Sequence, residues 1–250
     1  MHSHHQGHGN RASSELAAPP TPEDMAPINV EGRHPLTADQ GFGKKWEKTY
    51  EIRLAAPAPS PEAVMEEWKA RFEEFWPDGS RFHLAGHDDM PPGHVAAAEV
   101  KMPAGLKLAT GLVVTESNDR SFTLVTAEGH MFAGTIVFSA FAQGDATFAR
   151  VRTNMRCSDP IYELGFLLGG DKLEDRFWGE TYRHLAARFG KSGVKPRRRV
   201  VLMDPARKWR NAKNTWYNAG VRTTIYRVAT PLRWLWDRRA GERESRRGSA

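Results

Sequence analysis

A run of short alternating segments followed by one amphipathic helix constrains the fold of this chain more than any other feature. Apolar and polar residues alternate over 95–102, 106–116, 122–126, 131–142 and 146–157. Turn sequences separate these segments, among them Ser117-Asn118-Asp119 and Gln143-Gly144-Asp145. Strands joined by tight turns predict an antiparallel meander. Because a long helix follows, the pattern favours an α+β fold in which a curved sheet packs on that helix.

The long helix is predicted over residues 171–189. Its apolar residues recur three or four apart and form one stripe, comprising Leu173, Phe177, Trp178, Tyr182, Leu185, Ala186 and Phe189. Asp171 is the expected N-cap, with Glu174 three residues later as in a capping box. Gly190 is the expected stop.

A strand and a helix are predicted before the meander. Tyr50, Ile52 and Leu54 alternate within 46–54, which predicts a first strand. Ser60 suits the N-cap and Pro61 the first position of a helix over 61–76. A short strand is expected at 82–85 and a short helical segment before residue 169. The predicted order is therefore strand, helix, about six strands and a long helix.

This order, together with the motif Thr126-Ala127-Glu128-Gly129-His130 and Gly134, resembles the START-like or SRPBCC superfamily, which includes the polyketide-cyclase and Bet v 1-like helix-grip folds. The motif is similar to one in a bacterial family of uncharacterised domains. The resemblance covers residues 46–190. It implies a cavity between sheet and helix that holds lipids, polyketides or other hydrophobic small molecules. The superfamily includes enzymes and carriers, so the fold alone does not choose between them.

The composition divides the chain into three parts. Residues 1–44, rich in Pro, Gly, Ser and His, predict a disordered tail. Residues 45–190 hold the helix-grip domain, and residues 191–250 form a basic, aromatic-rich extension with helical character. The extension carries 17 Lys and Arg against 4 Asp and Glu, whereas residues 1–190 carry 19 against 26. A basic extension on an acidic domain indicates an anionic surface as partner, or self-association.

Five residues are predicted to contact a ligand. Tyr162 and Tyr182 would present hydroxyl groups at the cavity mouth, and Trp178 lies on the helix stripe. Arg152 and Asn154 share a face of the strand 146–157 that the alternation directs away from the helix. A β-bulge would turn these two side chains inward as polar anchors, although the outward direction is the favoured interpretation.

Glu128 and His130 are the candidate catalytic residues. A carboxylate and an imidazole near a cavity rim can serve as an acid/base pair, because histidine titrates near neutrality. The favoured alternative is that Gly129 supplies a positive φ for a tight turn and that its neighbours are turn residues. Cys157 has no basic activation beyond Arg156 and is interpreted as a small buried hydrophobic residue.

No sequence pattern indicates a metal or a cofactor. His83, His87 and His94 fall in strand-to-loop sequence interrupted by prolines, where their spacing does not produce a ligand set. The N-terminus lacks the apolar core of a secretory signal, the chain has one cysteine, and no apolar run is long enough to span a membrane. These observations predict a cytoplasmic protein.

The end of the extension has the pattern of a basic amphipathic helix. Val221, Ile225, Val228, Leu232 and Leu235 recur at spacings of four, three, four and three. The residues predicted to meet an anionic membrane surface are Arg222, Arg227, Arg233, Trp234 and Trp236, because arginine and tryptophan suit the headgroup region. Packing of the same stripe on the domain is the favoured alternative. Nucleic-acid binding is the least favoured, since no recognised module accompanies the pattern.

The sequence therefore predicts a protein that binds a hydrophobic small molecule, lipid-like or polyketide-like, between sheet and helix. The alternatives are a cyclase-like or hydrolase-like enzyme on the same scaffold, and a peripheral membrane protein anchored by the extension.

Overall fold

A computed structural model describes residues 29–84, 89–102 and 107–223, together with Leu16 and Ile225. Within these residues the strands are β1 (Pro35–Leu36), β2 (Lys45–Leu54), β3 (Arg81–His83), β4 (Val95–Lys101), β5 (Lys107–Asn118), β6 (Ser121–Ala127), β7 (Phe132–Gln143), β8 (Ala146–Cys157) and β9 (Arg197–Asp204). The α-helices are α1 (Pro61–Ala70), α2 (Pro160–Gly165) and α3 (Asp171–Arg188). Shorter 3₁₀ helices span Ala38–Gln40, Phe72–Phe75 and Trp209–Tyr217, and a π-helical turn, Phe166–Gly170, joins α2 to α3.

All the strands belong to one antiparallel sheet with the order β3-β4-β5-β6-β7-β8-β2-β9, and β1 pairs with β6. Strands β3 to β8 are sequential neighbours, so the predicted meander is confirmed. The sheet is curved, and α3 lies against its concave face. The predicted α+β helix-grip architecture is therefore confirmed, although the sheet has more strands than the six or seven expected.

The core lies between the concave face and the helices α1 and α3. Trp178, Tyr182 and Leu185 of the predicted α3 stripe are buried there. Trp68 of α1 is fully buried, and its ring centroid lies 5.8 Å from that of Tyr182. Each such large side chain contributes about 2 kcal/mol through the apolar area that it removes from water. Burial of one helix stripe therefore holds α3 on the sheet.

The start of α3 differs from the prediction. Asp171 is not an N-cap, because α3 continues directly from the π-helical turn, and the preceding Gly170 makes no side-chain cap. The Asp171 carboxylate instead pairs with Lys48 on β2 and with Arg198 on β9. An acidic residue in the first turn still interacts favourably with the helix dipole.

The N-terminal boundary predicted at residue 44 is wrong for residues 29–44. Leu36 of β1 pairs with Thr126 of β6. Asn29 is buried, and its Nδ2 donates to the Ala109 carbonyl at 2.9 Å and to Thr223 Oγ1 at 2.8 Å. This segment thus covers the convex face of the sheet, where its few apolar side chains find partners. Residues 1–15 and 17–28 of the predicted tail lie outside the described residues.

The C-terminal boundary predicted at residue 190 also does not hold as a limit of the sheet. Strand β9 pairs with β2 from Glu51↔Arg197 to Lys45↔Asp204. Arg156 of β8 is buried, and its guanidinium donates to the carbonyls of Gly43 at 2.6 Å and Ala206 at 2.8 Å. The same guanidinium pairs with Asp204. Residues 197–206 are therefore integral to the domain rather than part of a separate extension.

Candidate functional site

A cavity of about 990 Å³ lies between the concave face of the sheet and the first half of α3. Residues from several strands line its sheet side, namely Leu112, Leu124, Ile136, Phe138, Thr153 and Met155. Leu173, Phe177 and Trp178 of α3 line the opposite side. These side chains are mainly apolar, so the interior suits an apolar occupant.

Aromatic side chains fill the space under the second half of α3, the filled half, and two of them, Phe72 and Phe138, also form a wall of the cavity. The ring centroids of Phe72 and Phe138 lie 5.1 Å apart, and Phe122 stacks on Phe138 with a centroid distance of 4.4 Å. Tyr182 belongs to this filled half: it is fully buried, and its hydroxyl donates to the Tyr50 carbonyl at 2.7 Å. The filled half fixes the helix on the sheet and leaves the open half available.

The segment formed by α2 and the π-helical turn makes the rim of the cavity. Four large aliphatic side chains on it are exposed, Ile161 by 49%, Leu164 by 59%, Leu167 by 61% and Leu168 by 79%. Ile161 and Leu168 also line the cavity. The cavity therefore opens to the surface beside a cluster of exposed aliphatic residues, which is the kind of patch that marks an interaction site.

His130 presents an imidazole to the cavity from the turn between β6 and β7. The side chain is 7% exposed, and its Nδ1 lies 2.9 Å from the Phe132 backbone nitrogen and 3.0 Å from the Phe132 carbonyl oxygen. Burial lowers the pKa of His130 from its usual 6.5 to about 4. The imidazole is therefore neutral near pH 7.

The motif around His130 has a structural explanation. Gly129 has a φ of +90°, and a Cβ there would lie 2.3 Å from the Tyr217 carbonyl oxygen. Gly134 has a φ of +151°, and its amide donates to Thr126 Oγ1 at 3.0 Å. Both glycines allow backbone approaches that a side chain would block. They set the loop that holds His130 against the cavity and dock the extension on the same loop.

A buried ion-pair cluster borders the cavity at the start of α3. Lys48 is buried, and its Nζ lies 2.5 Å from both Glu174 Oε2 and Asp171 Oδ1. The same ammonium lies 4.5 Å from the Phe166 ring centroid. Burial raises the pKa of Glu174, while the Lys48 ammonium opposes that shift. Glu174 lines the cavity, so the cluster contributes one charge-balanced carboxylate to an otherwise apolar wall.

Sequence reasoning missed Lys48 and Glu174, although a signal for Lys48 was present. Tyr50, Ile52 and Leu54 point into the core, and Lys48, two residues before Tyr50, lies on the same face of β2. Alternation alone therefore directs the Lys48 side chain inward, where it needs a buried carboxylate as a partner.

The predicted ligand residues fall in different places. Tyr162 and Trp178 line the cavity, whereas Tyr182 is not among the lining residues. The Tyr162 hydroxyl donates to the Gly129 carbonyl at 3.2 Å and accepts from the Gly220 amide at 2.9 Å. That hydroxyl therefore connects the rim to the extension.

Arg152 and Asn154 lie on the convex face, as the favoured interpretation predicts, and the alternative in which a bulge turns them into the cavity is wrong. The β7–β8 register runs without a shift, which leaves no bulge to turn them inward. Arg152 is exposed, whereas the neighbouring Thr153 and Met155 are buried and line the cavity. The regular alternation decides this outcome.

Glu128 and His130 do not form a pair inside the cavity. Glu128 Oε2 accepts from the His34 backbone amide at 3.3 Å, and Glu128 is not among the lining residues. Cys157 is buried, and burial followed by the nearby Glu163 carboxylate raises the pKa of its thiol. The geometry thus provides neither an acid/base dyad nor an activated thiolate at these positions.

The predicted membrane-surface residues Arg227, Arg233, Trp234 and Trp236 lie outside the described residues, as does His87 of the histidine set. Arg222 is half-buried. On the 3₁₀ helix Trp209–Tyr217, Arg210, Lys213 and Trp216 are three residues apart and exposed, Trp216 by 83%, so they share one face. No helix in the described part of the chain has the length and apolar character to cross a bilayer.

Comparisons with known proteins give matches among solved structures only. No family model and no curated protein matches the chain. Ara h 8.0201 is similar at 11% identity and a TM-score of 0.40, covering 58% of this chain and 99% of its own. The di-domain ARO/CYC StfQ from the steffimycin biosynthetic pathway is similar at 12% identity and a TM-score of 0.42, covering 58% and 52%.

Protein Ms6760 from Mycobacterium smegmatis is similar at 16% identity and a TM-score of 0.40, covering 56% of this chain and 89% of its own. The helix-grip description of the present chain rests on its element order and strand pairing.

Proposed function

We propose that the protein binds a hydrophobic small molecule in the cavity between the sheet and α3. The observation that supports this proposal is the cavity itself, about 990 Å³ in volume and lined by many apolar side chains, among them Leu, Ile, Phe, Met and Trp. Ligand sites in proteins typically measure about 300–1,000 Å³ and are predominantly apolar. The cavity therefore has room for a lipid-like or polyketide-like molecule.

The rim supports the same proposal. Ile161 and Leu168 are exposed and line the cavity, so an apolar molecule would meet apolar side chains on entry. Gly169 in the π-helical turn has a φ of +128°, and nothing lies within 4 Å of the position that its Cβ would take. The rim is thus loosely packed at this glycine.

The test is a titration of delipidated full-length protein with Nile red, a neutral apolar dye, in wild type and two tryptophan variants. Ile136→Trp places an indole in the cavity, and we expect it to weaken binding at least tenfold. Val137→Trp adds the same side chain to the opposite face of β7 and is expected to leave affinity within about twofold. Absence of saturable binding to wild type, or equal loss in both variants, would contradict the proposal.

A second candidate function is peripheral attachment to an anionic membrane. It is supported by the face with Arg210, Lys213 and Trp216 and by the exposed aliphatic cluster of the rim. Basic and aromatic side chains suit the headgroup region, and aliphatic ones its apolar side. The Tyr162–Gly220 hydrogen bond links the rim to the extension, so both features belong to one connected part of the molecule.

A further inference from the structure

His130 is a buried polar group whose second ring nitrogen has no protein partner. Its Nδ1 meets the Phe132 backbone, but the structure gives Nε2 no hydrogen-bond partner among the described residues. The side chain is 7% exposed and lines the cavity. Nε2 is not among the buried side-chain atoms that lack a partner, so it is open to the cavity, where a ligand or a water can reach it.

The Phe132 backbone decides which tautomer His130 adopts. Phe132 lies opposite Cys157 of β8 in a pair that is not hydrogen-bonded, because the bond at this point runs from the Ser158 amide to the Met131 carbonyl. The Phe132 amide and carbonyl therefore both point away from β8. Nδ1 can serve only one of these two groups. Buried amides without an acceptor are rarer than under-satisfied carbonyls, so Nδ1 accepts from the amide. Nε2 then carries the ring proton and is a donor.

The charges around the cavity favour a neutral partner for this donor. Asp78, Lys101 and Arg176, which line the cavity, are exposed residues at its edge, and Glu180, which also lines it, is a half-buried carboxylate. The buried lining carboxylate, Glu174, is already balanced by Lys48, and Lys48 also holds Asp171. A ligand carboxylate in the interior would therefore find no cation free to pair with it among these residues, and its desolvation would oppose binding.

We propose that the Nε2–H of His130 is the polar anchor of the cavity, and that the ligand is an uncharged apolar molecule with a carbonyl-type oxygen. This inference rests on the proposed function and names the ligand chemistry of the same site. His130 acts here as a hydrogen-bond donor that orients the ligand, without proton transfer. Its low pKa keeps the donor neutral over the physiological range.

The test compares three naphthalene probes of similar size by isothermal titration of the full-length protein: the methyl ketone, the ethyl hydrocarbon and the carboxylate. We expect the ketone to bind roughly tenfold tighter than the hydrocarbon, the ratio that one hydrogen bond to the ligand provides. The carboxylate is expected to bind more weakly than the ketone. A carboxylate that binds more tightly than the ketone would overturn the neutral-ligand inference.

The His130→Phe variant removes the donor and keeps a ring of similar size. We expect its ketone and hydrocarbon affinities to become equal, while the hydrocarbon affinity stays within about threefold of wild type. His130→Gln, whose amide places an N–H near the position of Nε2, should recover part of the ketone preference. An unchanged preference in His130→Phe would overturn the anchor and leave the proposed function standing, whereas no binding of any probe would overturn both.

A second measurement needs no variant. A long-range proton–nitrogen NMR spectrum of wild type identifies which ring nitrogen of His130 bears the proton. We expect a protonated Nε2, whose signal shifts when the ketone is added and stays in place with the hydrocarbon. A proton on Nδ1 would show that Nε2 accepts and would overturn the inference.

Discussion

At the scale of the residue, His130 connects the cavity to the stability of the protein. Its ring is enclosed by the loop between β6 and β7, with the Ser158 hydroxyl donating to the His130 carbonyl at 2.5 Å. The folded pKa of about 4 lies below the usual value of 6.5, so the unfolded chain gains a proton at higher pH than the folded one. The stability that depends on neutral His130 is therefore present above pH 6.5 and is lost as the pH falls towards 4.

We predict that the free energy of unfolding falls by about 2 kcal/mol more in wild type than in His130→Phe between pH 6.5 and 4.5, from the shift of this one group. Urea unfolding of both proteins at the two pH values measures the difference. Other titrating groups are common to both proteins and cancel in the comparison. Parallel pH dependences would mean that His130 accepts a proton in the folded state as readily as in the unfolded chain.

The sequence predicts the direction of a side chain where apolar and polar residues alternate strictly along a strand. It does not predict burial that depends on partners far away in the sequence. The outward direction of Arg152 follows from the alternation along β8. Arg156 has the same parity but is buried, because Gly43, Ala206 and Asp204 close over it. Those partners lie far away in sequence, so no local pattern reveals them.

At the scale of the element, β9 shows the same limit. Its sequence, Arg-Arg-Arg-Val-Val-Leu-Met-Asp, falls in the basic extension predicted from residue 191, and its residues are mostly exposed. An edge strand with little burial lacks the alternation by which strands are recognised. What holds β9 is its ladder to β2 and the pairing of Arg198 with Asp171 and Asp175. Both depend on the folded arrangement of β2 and α3.

We predict that a chain ending at Gly190 is strongly destabilised, by several kcal/mol, relative to one ending at Ile225. The shorter chain loses the β9 ladder and two partners of Arg156, the Ala206 carbonyl and the Asp204 carboxylate, and each lost hydrogen bond to a charged group costs about 1.5–3 kcal/mol. The longer chain keeps these contacts. Equal midpoints of urea unfolding for the two chains would show that residues 191–225 add nothing to the fold.

At the scale of the whole molecule, the proposed membrane attachment can be separated from folding. Residues 226–250 contain 7 Arg and 3 Asp and Glu, together with Trp234 and Trp236. We predict that full-length protein binds vesicles of phosphatidylcholine with phosphatidylserine, and that the chain ending at Ile225 loses most of this binding. Each arginine near such a surface contributes about 1 kcal/mol.

Co-sedimentation with vesicles measures this binding, and vesicles of phosphatidylcholine alone are the control. Raising the salt to about 1 M shortens the Debye length to about 3 Å and should release the full-length protein. If the chain ending at Ile225 bound the vesicles as well as the full-length protein, the attachment would lie in the residues before 226. Binding that ignores both salt and phosphatidylserine would rule out an electrostatic role for the arginines.

The position of β2 in the sheet has a consequence for the order in which the protein can be completed during synthesis. This strand is made early, yet its partners β8 and β9 both come much later in the chain, with Glu51 and Arg150 already 99 residues apart. Both edges of the nascent β2 therefore stay unpaired while the meander is translated, and non-local pairing of this kind folds slowly. Strand β9 is made later still, so the Arg198 pairs that fix the start of α3 beside the cavity can form only after the meander and α3 have been translated.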